Sequence, residues 1–372
     1  MNTTQTAAAI FAAMLVALAC IAWASPVPDR VTDRATYEAT AERMIVPDCT
    51  DLHCFRVLVP WALGALPGSS LMKWKIYAII ANATAAAAVF VLAASWGLSR
   101  RATVMAAVVS GFGFGALYTL HDVYTADPLM YALAPVVLWL LTRERVALAG
   151  VIAAFGVTAK EFVAAPLYIF AAACWLDARR GLALRALAAA NAVFIVWLAL
   201  QLTLVLQFNY GYGDNPSTRL MSGGYLLPWF EQQTLRGALS ALVNEFGVVW
   251  LLAPAGLLLA PRSLRLLALA SLPVALLFGY VQQPDRALWN FHFLAAPLAA
   301  LVLDRMPARV AWSTIGLFVM ANLRVGAQLP GVPAARFALG LSVALAAAGL
   351  ILVWRSGGFA PKLRGSDGPV FA

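Results

Sequence analysis

The sequence predicts an all-α fold, a polytopic transmembrane helix bundle with about twelve spans. Of its 372 residues, 62% are hydrophobic and only 12% are charged, and the mean hydropathy is +0.81. The charged residues are concentrated in short loops between apolar runs, and a helix of about 20 apolar residues crosses the hydrocarbon core of a bilayer. These features together exclude an ordinary soluble domain.

Each apolar run is expected to form one helix, and an even number of spans places both termini on the same side of the membrane. Residues 7–25 also resemble a signal peptide, because Ala-Trp-Ala-Ser precedes Pro26. However, residues 1–6 include no basic residue and the run exceeds the ~7–15 residues of a cleaved signal, so we expect a retained first helix. The predicted spans are 7–25, 76–98, 103–120, 128–142, 146–159, 162–177, 184–206, 247–260, 265–281, 291–303, 310–324 and 337–354.

The distribution of charge predicts the orientation. One set of loops holds 14 of the 26 Lys and Arg residues but only 4 of the 17 acids, whereas the other set holds 13 acids and all three histidines. Cytoplasmic loops accumulate Lys and Arg, so the first set is expected in the cytoplasm. The same rule explains the net charge of +9 without an anionic partner, and we expect no nucleic-acid binding.

We expect residues 1–354 to form a single transmembrane domain, followed by a short cytoplasmic tail at 355–372. Two outer segments, 26–75 and 207–246, are long enough to fold as periplasmic loops, and residues 55–66 are expected to lie along the membrane interface. Cys49 and Cys54 share the first of these segments. A disulfide and two free thiols are both compatible with that position.

Several charged residues lie at the ends of apolar runs that are short for a bilayer. The run from Asp127 to Thr142 spans about 24 Å as a helix, and the run beginning at Val146 ends at Lys160 and Glu161. Ionisable groups at that depth normally face a cavity or a partner. We therefore expect a polar, outward-opening cavity rather than a simple Lys160–Glu161 ion pair. Further candidates for its lining are Asp122, Asp285 and Arg286.

Cations beside carboxylates suit a lipid phosphate that carries a polar head group. Arg and Lys would hold the phosphate, and a carboxylate would bind hydroxyls or act as a general base. The outer acids also offer oxygen ligands that could hold a divalent cation, but their spacing specifies no particular metal. The sequence predicts no other cofactor. The chain has no His-Glu-x-x-His zinc helix and no Gly-x-Ser-x-Gly elbow.

The layout resembles the GT-C superfamily of integral membrane glycosyltransferases. The similarity rests on residues 33–39 (Asp-Arg-Ala-Thr-Tyr-Glu-Ala) and 56–60 (Arg-Val-Leu-Val-Pro), and it extends over most of residues 1–300. The later matching elements are Asp122, Asp127-Pro128, Lys160-Glu161 before Pro166, and Asp285-Arg286. Many relatives carry a carboxy-terminal periplasmic domain that has no counterpart here, so we expect loops to recognise the acceptor.

This resemblance implies a polyprenyl-phosphate-linked sugar donor and a glycan, lipid or protein acceptor. It also implies an active site on the periplasmic face of a bacterial inner membrane, in contact with its lipids, and inversion at the anomeric carbon. Asp33 would be the general base beside Tyr37, with Asp29 and Asp51 as alternatives. Arg56, Lys160 and Arg286 would bind the donor phosphate, and Asp122, Asp127, Glu161 and Asp285 would line the site.

Two other function classes fit the same composition. A transporter or flippase for a lipid-linked or small anionic substrate is one, and inverted repeats, broken helices and charges at mid-membrane would favour it. The sequence shows no internal repeat, and its charges lie toward one face. An O-antigen ligase-like polymerase is the other.

The orientation is testable by reporter fusions. Because basic loops stay in the cytoplasm, fusions after Arg101, Arg180 and Arg309 are expected to report a cytoplasmic location. Fusions near Ser70 and Asp214 are expected to report the periplasm. A periplasmic signal at Arg180 would overturn the orientation.

Overall fold

A computed structural model describes residues 2–24, 33–211, 236, 243, 246–281, 288–323 and 335–359 of the chain. Every regular element in these ranges is a helix and no strand occurs in them. Three 3-10 turns, at Leu52–Phe55, Glu161–Ala164 and Leu288–Phe291, interrupt the α-helices. The α-helices are α1 (Thr3–Ala24), α2 (Arg34–Arg43), α3 (Leu58–Gly64), α4 (Ser70–Ser95), α5 (Arg100–Gly111), α6 (Phe114–His121), α7 (Asp127–Thr142), α8 (Val146–Gly156), α9 (Ala165–Leu176), α10 (Arg180–Phe208), α11 (Val249–Leu259), α12 (Arg262–Val281), α13 (His292–Arg305), α14 (Ala308–Asn322) and α15 (Ala335–Arg355).

Helices occur at all twelve predicted span positions, and five helical segments in the described residues are long and apolar enough to cross a membrane. They are α1, α4, α5 with α6, α10 and α15. Long helices also carry exposed apolar side chains: in α10, Ile195 is 63% and Leu206 is 79% exposed. Apolar surface of this kind fits contact with lipid. The all-helical class is therefore confirmed, and the number of crossings stays a prediction.

The predicted span 103–120 contains a break between two helices, and two glycines at the break pack closely on a tryptophan. Helix α5 ends at Gly111 and α6 begins at Phe114. A Cβ atom on Gly113 would lie 1.8 Å from the buried ring of Trp289, and one on Gly115 would lie 2.1 Å from it. The glycine-rich run at residues 111–115 is therefore a packing surface, and it contains the break between α5 and α6.

Prolines occupy positions that the helices tolerate. Pro166 is in the first turn of α9, where a missing N–H group costs no hydrogen bond. Pro135, Pro254 and Pro297 lie inside α7, α11 and α13. Neighbouring helices enclose such positions in a bundle and re-satisfy the freed backbone groups.

Ion pairs join the Arg-rich loops that are predicted to face the cytoplasm. Arg262 lies 2.8 Å from Asp177, and the guanidinium of Arg179 bonds Glu144. Arg101 pairs with Asp304 and donates to the backbone oxygen of Met306. Three of the four acids on this predicted side therefore serve to connect helix ends.

The first outer segment is folded and attached to the end of α10. It comprises α2, the turn Leu52–Phe55 and α3, so the segment predicted to lie at the interface is helical over much of its length. The N–H of Gly211 donates to the oxygen of Cys49 at 2.8 Å, and the hydroxyl of buried Tyr210 accepts from the N–H of Val46 at 3.0 Å. These bonds fix the loop that carries most of the predicted site.

Helix α11 packs closely on α13 at Gly256, where a Cβ atom would lie 2.1 Å from the backbone oxygen of Leu298. We expect Gly256→Ala to lower the free energy of unfolding of the purified protein by about 1–3 kcal/mol, and with it the melting temperature, because the backbone must shift to admit a methyl group. Gly316→Ala is the matched control, since Gly316 is also in a helix and has no atom within 4 Å of its Cβ position. Equal melting temperatures for the two variants would contradict this packing.

Candidate functional site

The amino-terminal end of α2 places Asp33 and Tyr37 one helical turn apart. Asp33 is the residue before α2, and its backbone oxygen accepts from the N–H of Tyr37 at 3.1 Å. The Tyr37 ring is fully buried against Trp74, with ring centroids 5.2 Å apart. The helical spacing predicted for Asp33 and Tyr37 is present in the structure.

A histidine connects two carboxylates of the first outer segment. The Nε2 atom of His53 lies 3.1 Å from Oδ2 of Asp33, and its Nδ1 atom lies 2.7 Å from Oδ1 of Asp51. The His53 ring also packs edge-on against Tyr37. The imidazole of His53 therefore lies between the carboxylates of Asp33 and Asp51, in close polar contact with both.

Asp51 is held in place by several donors. It accepts from the backbone N–H of His53 at 3.0 Å and from the Thr36 hydroxyl at 2.6 Å, in addition to the imidazole. Burial by itself raises the pKa of Asp51, but the hydrogen bonds from His53 and Thr36 outweigh it and hold the pKa well below its ordinary value. Asp51 is therefore an anchored carboxylate rather than a freely solvated loop charge.

Cys49 and Cys54 form a disulfide whose Cα atoms are 6.6 Å apart. The structure thus selects the disulfide from the two alternatives that the sequence allowed. The ring that it closes contains both Asp51 and His53. These two side chains therefore belong to a short, cross-linked segment rather than to an open loop.

A second group of charges lies where α7 begins and α8 ends. Nζ of Lys160 is 2.6 Å from Oδ1 of Asp127, and each side chain is only 8% exposed. Nη2 of Arg56 is 3.6 Å from Oε1 of Glu161. The cation nearest in sequence to Glu161 is Lys160, yet the close partner of Lys160 is Asp127. The two short helices therefore end at a buried ion pair rather than at charges that face open water.

Tyr77 fixes the first turn of α7 and with it Asp127. The Tyr77 hydroxyl donates to the backbone oxygen of Ala126 at 3.1 Å and accepts from the N–H of Leu129 at 3.0 Å. The first N–H groups of a helix lack partners within the helix, so a side chain in this position satisfies one of them.

Tyr37 lies between the two groups of charges. Burial raises the pKa of its hydroxyl well above the ordinary value, Arg56 opposes that rise, and Asp127 and Asp33 add to it. Arg56 in turn follows His53, whose backbone oxygen accepts from the Arg56 N–H at 3.1 Å. The structure therefore brings six of the predicted site residues together: Asp33, Tyr37, Arg56, Asp127, Lys160 and Glu161.

The remaining predicted residues are placed differently. Asp122 directly follows α6 and accepts from the Tyr118 hydroxyl at 3.1 Å. Asp285 and Arg286 lie outside the described residues, as do Asp29 and nearly all of the second outer segment beyond Gly211. The proposed roles of these residues stay predictions.

Sequence reasoning missed His53 and Glu38. Glu38 accepts from the Tyr124 hydroxyl at 2.9 Å and from Arg34 at 3.2 Å. Burial raises the pKa of Glu38, but hydrogen bonds from Ser70, Arg34 and Tyr124 outweigh it and lower the pKa. The available signal for His53 was its position within the Cys49–Cys54 interval, two residues after an aspartate.

Within the described part of the chain, no group of three or more His, Cys, Asp or Glu side chains has an arrangement that would hold a metal ion. No protein-family profile and no curated protein matches this chain.

The Lys160–Asp127 pair gives a test of stability. We expect Lys160→Met to destabilise the protein by about 3–5 kcal/mol, because it leaves a buried carboxylate without its cation. Lys160→Met combined with Asp127→Leu is expected to recover much of that loss. Melting of the purified protein followed by size-exclusion chromatography measures both effects.

The control for this test is Arg34→Met, which removes one partner of the more exposed Arg34–Glu38 pair at 3.2 Å. Exposed pairs contribute about 0–1 kcal/mol, so its melting temperature is expected to change little. If Lys160→Met melts at the same temperature as Arg34→Met, the buried pair is not a structural requirement.

Proposed function

We propose that this protein is an integral membrane glycosyltransferase that moves a sugar from a polyprenyl-phosphate donor to an acceptor at the outer, periplasmic face of a bacterial inner membrane. The observation that carries the proposal is the arrangement of the first outer segment. It brings a carboxylate, Asp33, and a cation, Arg56, close enough to buried Tyr37 to affect its hydroxyl, beside helices that are apolar enough to span a bilayer. The acceptor class is a glycan, a lipid or a protein.

Arg56 is the best-placed group to hold the donor phosphate. It lies at the start of the interfacial segment, where a lipid phosphate would enter, and its described acidic partner Glu161 is 3.6 Å away. A planar guanidinium binds phosphate with two parallel hydrogen bonds. Lys160 is held more closely by Asp127 at 2.6 Å, so the geometry favours a supporting role for Lys160. Arg286 remains a proposed third cation.

Asp33 is the proposed general base. It would take the proton of the acceptor hydroxyl while the acceptor oxygen forms a bond to the anomeric carbon. The bond from that carbon to the phosphate oxygen breaks, and polyprenyl phosphate leaves with the electron pair. Attack from the opposite face inverts the anomeric centre. A divalent cation is not required by this scheme.

Asp33→Asn tests the base. Loss of a positioned base typically lowers the rate by 10²–10⁴-fold, so this variant is expected to restore no product to a deletion strain. The product is identified by mass spectrometry of envelope glycans, glycolipids and glycoproteins that the deletion strain lacks. Asp48→Asn is the matched control, because Asp48 is an exposed acid of the same segment that bonds Asn209. Full product from Asp33→Asn would move the role to another carboxylate.

Arg56→Ala tests donor binding. Undecaprenyl phosphate in nanodiscs is expected to bind Arg56→Ala at least about tenfold more weakly than the wild type, since one charge-assisted contact contributes about 1.5–3 kcal/mol. Arg43→Ala is the control, because Arg43 is an exposed cation at the end of α2. Unchanged affinity in Arg56→Ala, Lys160→Ala and Arg286→Ala would rule out the phosphate assignment.

A further inference from the structure

His53 faces two carboxylates with its two ring nitrogens. The distances are 3.1 Å from Nε2 to Asp33 and 2.7 Å from Nδ1 to Asp51. A neutral imidazole has one N–H donor and one acceptor nitrogen, whereas an imidazolium has two donors. An ionised carboxylate only accepts. Both ring nitrogens can therefore donate to ionised carboxylates only when His53 carries two protons.

The surroundings of Asp51 support this arrangement. Its Oδ1 atom accepts from both the backbone N–H and the ring of His53, and its Oδ2 atom accepts from Thr36. These donors favour the ionised carboxylate, and they leave the Nδ1 atom of His53 as a donor. The orientation of the ring is fixed further by Tyr37 at 5.6 Å and by the disulfide on either side of the segment.

We propose that His53 is an imidazolium that bridges Asp33 and Asp51 and positions the Asp33 carboxylate. This inference rests on the proposed function for the role of Asp33, but the bridge itself does not. His53 is a positioning residue, because it acts through Asp33. Its positive charge also offsets two carboxylates that would otherwise repel the phosphate of an incoming donor.

The consequence for the reaction is a base with a fixed orientation. A carboxylate on the residue before α2 has several rotamers, and the 3.1 Å contact of Oδ2 with Nε2 of His53 favours one of them. The proton of the acceptor hydroxyl moves to Asp33 and is later lost to water, while His53 keeps both of its protons. The titratable and charged groups around His53 are Asp33 and Tyr37 at the start of α2, and Asp51 and Arg56 on its own segment.

The charge of His53 is measurable without any assay of transfer. Full-length protein labelled with ¹⁵N-histidine in nanodiscs has three histidines, His53, His121 and His292, and His121→Gln removes one signal as an assignment control. At neutral pH the two ring nitrogens of His53 are expected to be both protonated. Asp51→Asn is expected to remove that signature. Asp48→Asn is expected to leave it unchanged.

The positioning role is measured by transfer from undecaprenyl-phosphate hexoses and pentoses in membranes of the complemented strain. His53→Gln keeps a hydrogen-bond donor but no charge, and we expect kcat to fall about tenfold to hundredfold, the range known for partners that orient metal ligands. The KM for the donor is expected to change little, because the donor phosphate is assigned to Arg56 and not to the base.

The outcomes separate the two proposals. A neutral His53 ring at neutral pH, in protein that elutes as a single folded species, overturns the bridge whatever the activity. A doubly protonated ring with unchanged kcat in His53→Gln overturns the positioning role. If the wild type transfers no sugar, the proposed function fails, and the ¹⁵N spectrum still decides whether the bridge exists.

Discussion

The Lys160–Asp127 ion pair is the constraint on which the outer half of the molecule depends. Asp127 begins α7, Lys160 lies shortly after α8, and each side chain is only 8% exposed. Neither charge is therefore stable there without the other. Pairing brings the start of α7 to the end of α8. The backbone oxygen of Thr158, just after α8, then accepts from the N–H of Leu58 at 3.2 Å and attaches α3 to the same point. The first outer segment is built on that junction.

The positions of the helices followed from the sequence because they depend on the local length of apolar runs. The partners of the charges did not follow, because they depend on which helix ends meet. The sequence favoured a polar cavity over a Lys160–Glu161 pair, whereas the structure pairs Lys160 with Asp127 and Glu161 with Arg56. The break between α5 and α6 was also missed, and the ring that packs on Gly113 belongs to Trp289, which is distant in sequence.

The site residues differ in the same way. Asp33 and Tyr37 were identifiable from their helical spacing and from the resemblance of residues 33–39 to the GT-C superfamily. Arg56 was identifiable because it begins the second similar element, residues 56–60. His53 was not, because a single histidine carries no pattern until Asp33 and Asp51 lie on its two sides. The three-donor environment of Asp51 also separates it from Asp33. Such an anchored carboxylate is better suited to orient a neighbour than to accept a substrate proton.

The Cys49–Cys54 disulfide encloses the two residues that orient Asp33. Disulfides form and persist in oxidising compartments and are rare in the cytosol. The order of events during biogenesis follows from this. With the proposed periplasmic location, the chain would be synthesised and inserted with both thiols reduced, and this short segment would become cross-linked only after export. Maturation of the proposed site would then be coupled to its arrival on the correct side of the membrane, and a molecule inserted upside down would lack its completed centre.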